Sequence, residues 1–195
     1  LSVTTATFTG TVSGAYGLAI TGNAVFGDAA ADTVTLSGSA KNLSVSGTTA
    51  INTSSVTTSG SQTYSDALTV GVSTTLSASA ITTSSTIAAS AYNLTMTTDA
   101  IALGANVSGT GTLVIQPKTV STTVGVGTDA SGVLSLNDTE LGRLVDGFSS
   151  ITIGSTSGTG AIAINYNASS YTFTDPIVIR SSSGTITASD LLNTG

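Results

Sequence analysis

The sequence has 195 residues and contains no cysteine, no histidine and no tryptophan, and only 7% of it is charged. Without histidine or cysteine the chain cannot form a His-dependent catalytic triad, a thiol nucleophile, a typical zinc site or a disulfide framework. Four basic residues against ten acidic ones give a net charge of −6. This balance argues against nucleic-acid binding, because that function needs a basic surface.

The residues that are present favour strands. Hydrophobic residues make up 39% of the chain, which is too apolar for the highly charged form of disorder, yet no run of about 18 apolar residues predicts a membrane span. Serine and threonine number 69, with 22 glycines and only two prolines. Because Val, Ile and Thr suit pleated strands and Gly suits tight turns, the composition predicts an all-β protein.

Short units with the pattern apolar-x-apolar recur along the chain, and each predicts a strand with one buried face. Successive units are often about 7–12 residues apart, with Gly, Asn, Asp or Ser between them. The units begin at Leu18, Val34, Leu43, Leu68, Leu94, Ile101, Leu113, Val124, Leu134, Ile151, Ile162 and Ile177.

Two architectures produce this rhythm, a parallel β-solenoid and an antiparallel β-sandwich. The strands are short and Asp146-Gly147 is the only typical hairpin dipeptide, which favours the solenoid and leaves the sandwich as the alternative. At about 20–25 residues per coil the chain would form about eight or nine coils. Stacked at about 4.8 Å, these coils predict a rod about 40 Å long.

An internal similarity supports a repetitive architecture. Residues 1–25 align with residues 76–101, including Tyr16 with Tyr92 and Leu18 with Leu94. The offset of about 75 residues would correspond to about three coils. We expect residues 1–195 to form one continuous solenoid segment.

One segment, residues 137–147, departs from the strand pattern. Asn137 followed by Glu140 is typical of a helical capping box, and Gly147 would end the helix. Leu141, Leu144 and Val145 would form its apolar face. The sequence therefore predicts a short helical excursion at residues 137–146 that covers the flank of the solenoid.

Two stretches carry a resemblance to a known class of protein. Residues 57–87, TTSGSQTYSDALTVGVSTTLSASAITTSSTI, and 136–164, LNDTELGRLVDGFSSITIGSTSGTGAIAI, resemble repeats of giant bacterial exoproteins of the filamentous-haemagglutinin type. The second stretch belongs to a repeat of about residues 113–195. The resemblance implies a right-handed parallel β-helix, secretion by two-partner export and a role in adhesion or surface structure.

Acidic residues are the first candidates for chemistry. Asp28 and Asp32 are close in sequence, as are Asp138, Glu140 and Asp146. Paired carboxylates would suit a polysaccharide-active β-helix enzyme, and residues 27–32 could lend a weak calcium site. Asp also favours turns and caps, which is the interpretation we prefer. We therefore predict no catalytic, cofactor-binding or metal-binding residues.

Three other patterns have a structural and a functional interpretation. Alternating threonines would suit an ice-binding face, the tyrosines a sugar-binding face, and the Asn-x-Ser/Thr motifs glycosylation. We favour outward threonines on wet strands, because the threonine pairs do not recur at one period. We also favour tyrosines at coil corners and asparagines in turn ladders. The residues are Thr5, Thr7, Thr9, Thr11, Thr33, Thr35, Thr95, Thr97, Thr172, Thr174, Thr185 and Thr187; Tyr16, Tyr64, Tyr92, Tyr166 and Tyr171; and Asn42, Asn52, Asn93, Asn106, Asn137 and Asn167.

These observations favour a structural or adhesive shaft segment of a secreted bacterial surface protein, without enzymatic activity and without a cofactor. The chain begins at Leu1 with no visible signal peptide, which predicts a fragment or a processed product. Because an excised solenoid has two open ends, we expect end-to-end association or continuation into flanking repeats. Host or surface glycans are candidate partners. The alternatives are the polysaccharide-active enzyme and an ice- or carbohydrate-binding module.

Overall fold

The computed structural model describes residues 1–128, 131–165 and 172–189. These ranges contain 22 strands and one short helix, α1, at Asp138–Leu141. The strands are β1 Ser2–Phe8, β2 Val12–Gly14, β3 Leu18–Phe26, β4 Thr33–Leu36, β5 Leu43–Val45, β6 Thr49–Ile51, β7 Ser55–Thr58, β8 Gln62–Tyr64, β9 Leu68–Val70, β10 Thr74–Ser77, β11 Ala80–Thr83, β12 Ile87–Ala88, β13 Leu94–Thr97, β14 Ala100–Leu103, β15 Val107–Ser108, β16 Thr112–Gln116, β17 Val124–Gly127, β18 Leu134–Leu136, β19 Ser150–Gly154, β20 Ile162–Asn165, β21 Ile177–Arg180 and β22 Ile186–Ala188.

The strands stack in parallel sheets, which confirms the all-β prediction and fits a parallel β-solenoid. Sheet 1 has the order β2-β4-β7-β10-β13-β16-β19-β21. Sheet 2 contains β3, β5, β8, β11 and β14, and sheet 3 contains β1, β3, β6, β9, β12 and β15. Sheet 4 has the order β18-β17-β20-β22. Every pairing among these strands is parallel, which excludes the antiparallel sandwich for them.

Each regular coil contributes one strand to each of sheets 1, 2 and 3. The inward residues that pair from strand to strand along sheet 1 are Val12, Val34, Val56, Leu76, Met96 and Ile115. Each step between them takes about 20 residues, at the lower end of the predicted coil length. The next step, from Ile115 to Ile153, is nearly twice as long. Eight strands about 4.8 Å apart make sheet 1 about 34 Å long, close to the predicted rod.

The core is a column of inward side chains that follows from strand alternation. In β5, Leu43 and Val45 are buried while Ser44 is half-buried, and in β9 two buried residues likewise flank an exposed Thr69. One continuous cluster of buried apolar side chains joins Ala6 near the start to Phe173 near the end. Burying apolar area of this kind is the main stabilising term of the fold.

The long step between Ile115 and Ile153 holds the departure from regularity. After β16 the chain forms β17, turns back, and forms β18 beside it, so that Val124 pairs in parallel with Leu134. On its other side β18 lies next to β14. The chain then forms α1 and returns to the column at Leu144, which bridges to Val107.

The predicted helical excursion is confirmed in position, but the predicted end at Gly147 is wrong. Helix α1 has one turn with Asn137 as N-cap, and Gly142 closes it in a right-handed conformation. Leu144 cannot continue the helix because it takes the inward position beyond Val107: the Val107 amide donates to the Arg143 carbonyl, and the Val145 amide to the Val107 carbonyl.

The internal sequence similarity does not correspond to equivalent positions. Leu18 lies in sheet 2, whereas its aligned residue Leu94 lies in sheet 1. The offset between the aligned segments is therefore not a whole number of coils, and the expectation of a three-coil repeat is wrong. The two tyrosines of the alignment are both exposed in turns, but at different corners, since Tyr16 follows β2 and Tyr92 precedes β13.

Candidate functional site

The corner between sheets 2 and 3 changes at α1 and forms a groove there. In the regular coils this corner has three residues, as in 65–67 between β8 and β9. In the interrupted coil, residues 137–143 occupy the same corner between β18 and Leu144. The longer corner leaves a groove of about 610 Å³, which Asp138, Glu140 and Arg143 line together with Thr83, Leu103 and Thr128.

The Glu140 and Arg143 side chains replace a missing strand partner. Leu103 ends β14 and pairs with Thr83 on one side. On the other side its amide donates to Glu140 Oε1 at 3.1 Å, and its carbonyl accepts a hydrogen bond from Arg143 Nη1. One carboxylate and one guanidinium thus supply the acceptor and the donor that a neighbouring peptide group would supply in a regular coil.

The second oxygen of Glu140 is also engaged. Glu140 Oε2 accepts from the Asn137 amide at 3.1 Å, and the Glu140 amide donates to Asn137 Oδ1 at 3.0 Å. This is the predicted capping box. Glu140 is 7% exposed, so both carboxylate oxygens are held by backbone amides away from solvent. It is poorly placed to act as a general acid or base, because a catalytic carboxylate needs an oxygen free for substrate or water.

Asp138 is held from one side only. Its Oδ2 accepts a hydrogen bond from the Thr128 hydroxyl, and its Oδ1 is buried without a partner among the described residues. Over those same ranges no group of three acidic side chains could hold a metal ion. The groove therefore brings one partly engaged carboxylate beside a fully engaged one, and not two free carboxylates across a cleft.

The other acidic residues act in turns. Asp32 Oδ2 accepts hydrogen bonds from the amides of Asp28 and Ala29, both at 3.1 Å. In the turn considered as a weak calcium site, this carboxylate oxygen is therefore bound by backbone amides. Asp175 is 8% exposed and accepts from the amides of Gly147 and Phe148 in the preceding coil. Asp146 is exposed. Sequence reasoning did not single out Asp175, whose spacing from Gly147 carries no local signal.

Asparagines at the corners fasten one coil to the next. Asn42 Oδ1 accepts from the Ser61 amide at 2.8 Å, and Asn93 Oδ1 from the Thr112 amide at 2.9 Å. Asn23, which lies in no glycosylation motif, makes the same bond to the Thr48 amide at 2.9 Å. We call these three contacts the asparagine staples. They place asparagines where the coil turns from one sheet to the next, as expected, but the three lie at three different corners of the coil and do not stack into a ladder. Asn167 lies outside the described residues.

A glycine stands over each staple. A Cβ added at Gly60 would lie 2.0 Å from Asn42 Oδ1, and one at Gly47 would lie 2.4 Å from Asn23 Oδ1. At Gly111 the corresponding distance to Asn93 Oδ1 is 2.9 Å. A glycine precedes each donating amide because a side chain there would meet both the carboxamide and the backbone of the preceding coil; at Gly111 the added Cβ would lie 2.4 Å from the Tyr92 carbonyl oxygen.

Asp99 forms a stronger version of the same contact. Its carboxylate accepts from the amides of Lys118 and Thr119 and from the hydroxyls of Thr119 and Thr122. Partial burial would raise the pKa of Asp99, but the hydrogen bonds from Thr119, Thr122 and Lys118 outweigh it and hold the pKa below its ordinary value. Lys118 also donates its ammonium to the Thr58 carbonyl at 2.7 Å.

The tyrosines do not form one face. Tyr64 is fully buried in the column, where its hydroxyl donates to Gln62 Oε1 at 3.0 Å, and burial raises the pKa of its phenol. Gln62 Nε2 donates in turn to the carbonyls of Val56 and Ser77, so the buried polar pair is satisfied. Tyr16 packs beneath the Lys41 ammonium, 5.9 Å from the ring centre. Tyr166 and Tyr171 lie outside the described ranges.

The threonine pairs are more ordered than the sequence indicated. Thr33 and Thr35 on β4, and Thr95 and Thr97 on β13, belong to one continuous stack with the intervening strands of sheet 1. The expectation that the pairs lack a common repeat is wrong in space, because Ser55 and Ser77 complete the stack and coils of unequal length hide it in the sequence. By contrast, Thr5 and Thr7 lie on β1, and Thr187 on β22.

Comparison of the chain with family models, curated proteins and solved structures finds no significant match. The resemblance to filamentous-haemagglutinin repeats therefore rests on the quoted residues alone. The longest helix in the described residues has four residues, far fewer than a helix needs to span a membrane.

Proposed function

We propose that the chain is a structural or adhesive shaft segment of a secreted bacterial surface protein, built as a right-handed parallel β-helix. The observation that carries this proposal is the uninterrupted parallel ladder of sheet 1, from β2 to β21, over a single apolar column. A ladder of this kind transmits load from coil to coil through backbone hydrogen bonds.

The contacts between coils support a mechanical role. Each asparagine staple and the Asp99 cluster join residues about one coil apart, so side chains reinforce the backbone ladder at the corners. The Glu140 and Arg143 contacts continue this reinforcement across the interrupted coil. Glu140 and Arg143 in the groove bind backbone, and Asp138 stands without a second free carboxylate opposite it among the described residues, which favours a shaft over a polysaccharide-active enzyme.

The two ends support association or continuation. In the described residues, β2 at one end of sheet 1 and β21 at the other have only one strand neighbour each. The inward residues Ile177 and Ile179 of β21 remain half-buried, and no strand among the described residues lies beyond β21 in sheet 1. Free edges and an uncovered apolar column favour addition of a further strand layer, from a second copy or from flanking repeats.

Electron microscopy and light scattering over a range of concentrations test the end-to-end form of the proposal. We expect short rods that lengthen with concentration. Ile179→Lys places a charge on the uncovered end of the column and should stop the lengthening. Thr82→Lys on the side of sheet 2 is the matched control and should leave it intact. A monomer that stays monodisperse at high concentration, or equal loss in both variants, would contradict end-to-end association.

A further inference from the structure

The outer surface of sheet 1 carries a regular array of hydroxyl groups. Four consecutive strands, β4, β7, β10 and β13, each present two outward side chains separated by one inward residue. We call this surface the hydroxyl face. Its eight residues are Thr33 and Thr35, Ser55 and Thr57, Thr75 and Ser77, and Thr95 and Thr97.

The eight side chains form two straight files. Thr33, Ser55, Thr75 and Thr95 pair in register from strand to strand, and no shift of register interrupts them. Thr35, Thr57, Ser77 and Thr97 form the second file in the same way, and Ser13 on β2 extends it by one further strand. The array therefore repeats at about 4.8 Å along each file and about 6.6 Å between files.

The hydroxyls of this array are free to bind an outside partner. Within the described part of the chain, only Thr97 among the eight uses its hydroxyl in a side-chain hydrogen bond, accepting from Gln116 Nε2 at 3.0 Å at the end of its file. Six of the eight residues are threonine, whose branched side chain is stiff at χ1. Strand pairing thus fixes the positions of these residues, while seven of the eight hydroxyls make no side-chain hydrogen bond within the described part of the chain.

The other two sheets lack such an array. Sheet 2 presents one outward file, in which alanine stands at Ala19 and Ala102 around Ser44, Thr63 and Thr82. The outward file of sheet 3 runs through Val25, Ala50, Thr69, Ala88 and Ser108, so apolar residues interrupt its hydroxyls. Sheet 1 can carry two files because β4, β7, β10 and β13 have four residues each, whereas β5, β6, β8 and β9 have three and present a single outward residue.

We propose that the hydroxyl face binds ice. A crystalline water surface is a fixed two-dimensional array of oxygens, and its repeats along a prism face are similar in size to the two repeats of the hydroxyl files. Hydroxyls held at those repeats can place the first layer of bound water in lattice positions, so little entropy is lost when that layer joins the crystal. The threonine methyl groups between the hydroxyls limit competing hydration.

The chemistry of the face favours ice over other extended partners. None of the eight residues is charged or aromatic. An anionic or cationic polymer would require opposite charge on the face, and a crystalline polysaccharide such as cellulose would be recognised through aromatic rings that stack on its sugars. The inference is independent of end-to-end assembly, because a single rod and a filament both expose sheet 1.

Partition of the full chain into slowly growing ice, with thermal hysteresis measured on the same samples, tests the proposal. We expect the protein to enter the ice, whereas an inert globular protein is rejected into the liquid. Thr57→Tyr places a ring in the middle of one file and should lower ice partition by about tenfold or more. Thr63→Tyr is the matched control, because it lies in the same coil on the outward file of sheet 2 and should leave partition unchanged.

Circular dichroism and thermal melting establish that the variants are folded, and Thr35→Tyr on the neighbouring strand replaces Thr57→Tyr if the latter is not. Rejection of the unmodified chain from ice overturns the proposal. Equal loss in Thr57→Tyr and Thr63→Tyr also overturns it, because a specific face would not be involved. Binding to microcrystalline cellulose without entry into ice would assign the face to a polysaccharide instead.

Discussion

The regular coils from β2 to β16 and the interrupted coil from β16 to β19 close the corner between sheets 2 and 3 in two different ways. In the regular coils three residues form this corner, and neutral asparagine and serine side chains accept hydrogen bonds from backbone amides, while glycine leaves room for the close approach. In the interrupted coil a helical turn occupies the corner, and the charged side chains of Glu140 and Arg143 bind the backbone of Leu103. The difference shows that the ladder can lose a strand partner at one place if side chains supply the same donor and acceptor.

The largest expected effect compares the column in the two regions. Leu76→Ala removes a fully buried side chain in the middle of the regular coils and should lower the free energy of unfolding by about 2–5 kcal/mol. Leu141→Ala removes an equally buried side chain on α1, and we expect the lower end of that range because the flank can relax around it. Urea denaturation measures both losses of unfolding free energy. A larger loss for Leu141→Ala than for Leu76→Ala would contradict the expected difference between the two regions.

Glu140→Ala tests the surrogate strand partner. It leaves the Leu103 amide unsatisfied and removes the capping box, so the free energy of unfolding should fall by about 2–4 kcal/mol. Glu140→Gln retains one acceptor oxygen, so its free energy of unfolding should lie between those of Glu140→Ala and the unmodified chain. Asp146→Ala changes an exposed acid near the same corner and should shift stability by about 0.5 kcal/mol or less. If Glu140→Ala behaves like that control, the carboxylate does not hold β14.

Gly60→Ala tests the asparagine staples of the regular coils. The new methyl group would collide with Asn42 Oδ1 and, less severely, with the Ala40 carbonyl carbon at 2.9 Å, and the expected loss is about 1–3 kcal/mol. Gly10→Ala is the matched control, because no atom lies within 4 Å of the added carbon, and it should be nearly neutral. Adding Asn42→Ala to Gly60→Ala should recover part of the loss. Strictly additive losses would mean that the glycine is needed for another reason.

Asp99→Asn should have the smallest effect, and that effect lies in the pH dependence. Because the folded pKa of Asp99 is lowered, its ionised form stabilises the fold above the unfolded pKa of about 3.9. That contribution is lost as pH falls through the folded pKa, so Asp99→Asn should flatten the acid side of the stability profile below about pH 4. Thermal melts from pH 2 to 7 measure it; an unchanged acid slope would contradict the assignment.

Local patterns predicted the elements well, since they depend on neighbouring residues. The alternation in Leu43-Ser44-Val45 and the capping box of Asn137 and Glu140 can both be read from adjacent positions. The bond from Glu140 to Leu103 could not be predicted, because the two residues are distant in sequence and meet only in the folded coil. The hydroxyl files were missed for another reason: successive coils differ in length, and this hides in the sequence a stack that is straight in space.

The return of the chain from β17 to β18 has a consequence for the order of folding. Coils that follow one another along the chain can be added one at a time, each on the edge that the previous coil leaves open. Strand β17 is an exception, because the strand that lies between it and β14 is β18, which comes later in the chain. Growth from the N-terminal side must therefore pause after β16 until residues up to Leu136 are available. The nucleation and growth of this solenoid should be continuous through the first five strands of sheet 2 and non-sequential immediately after them.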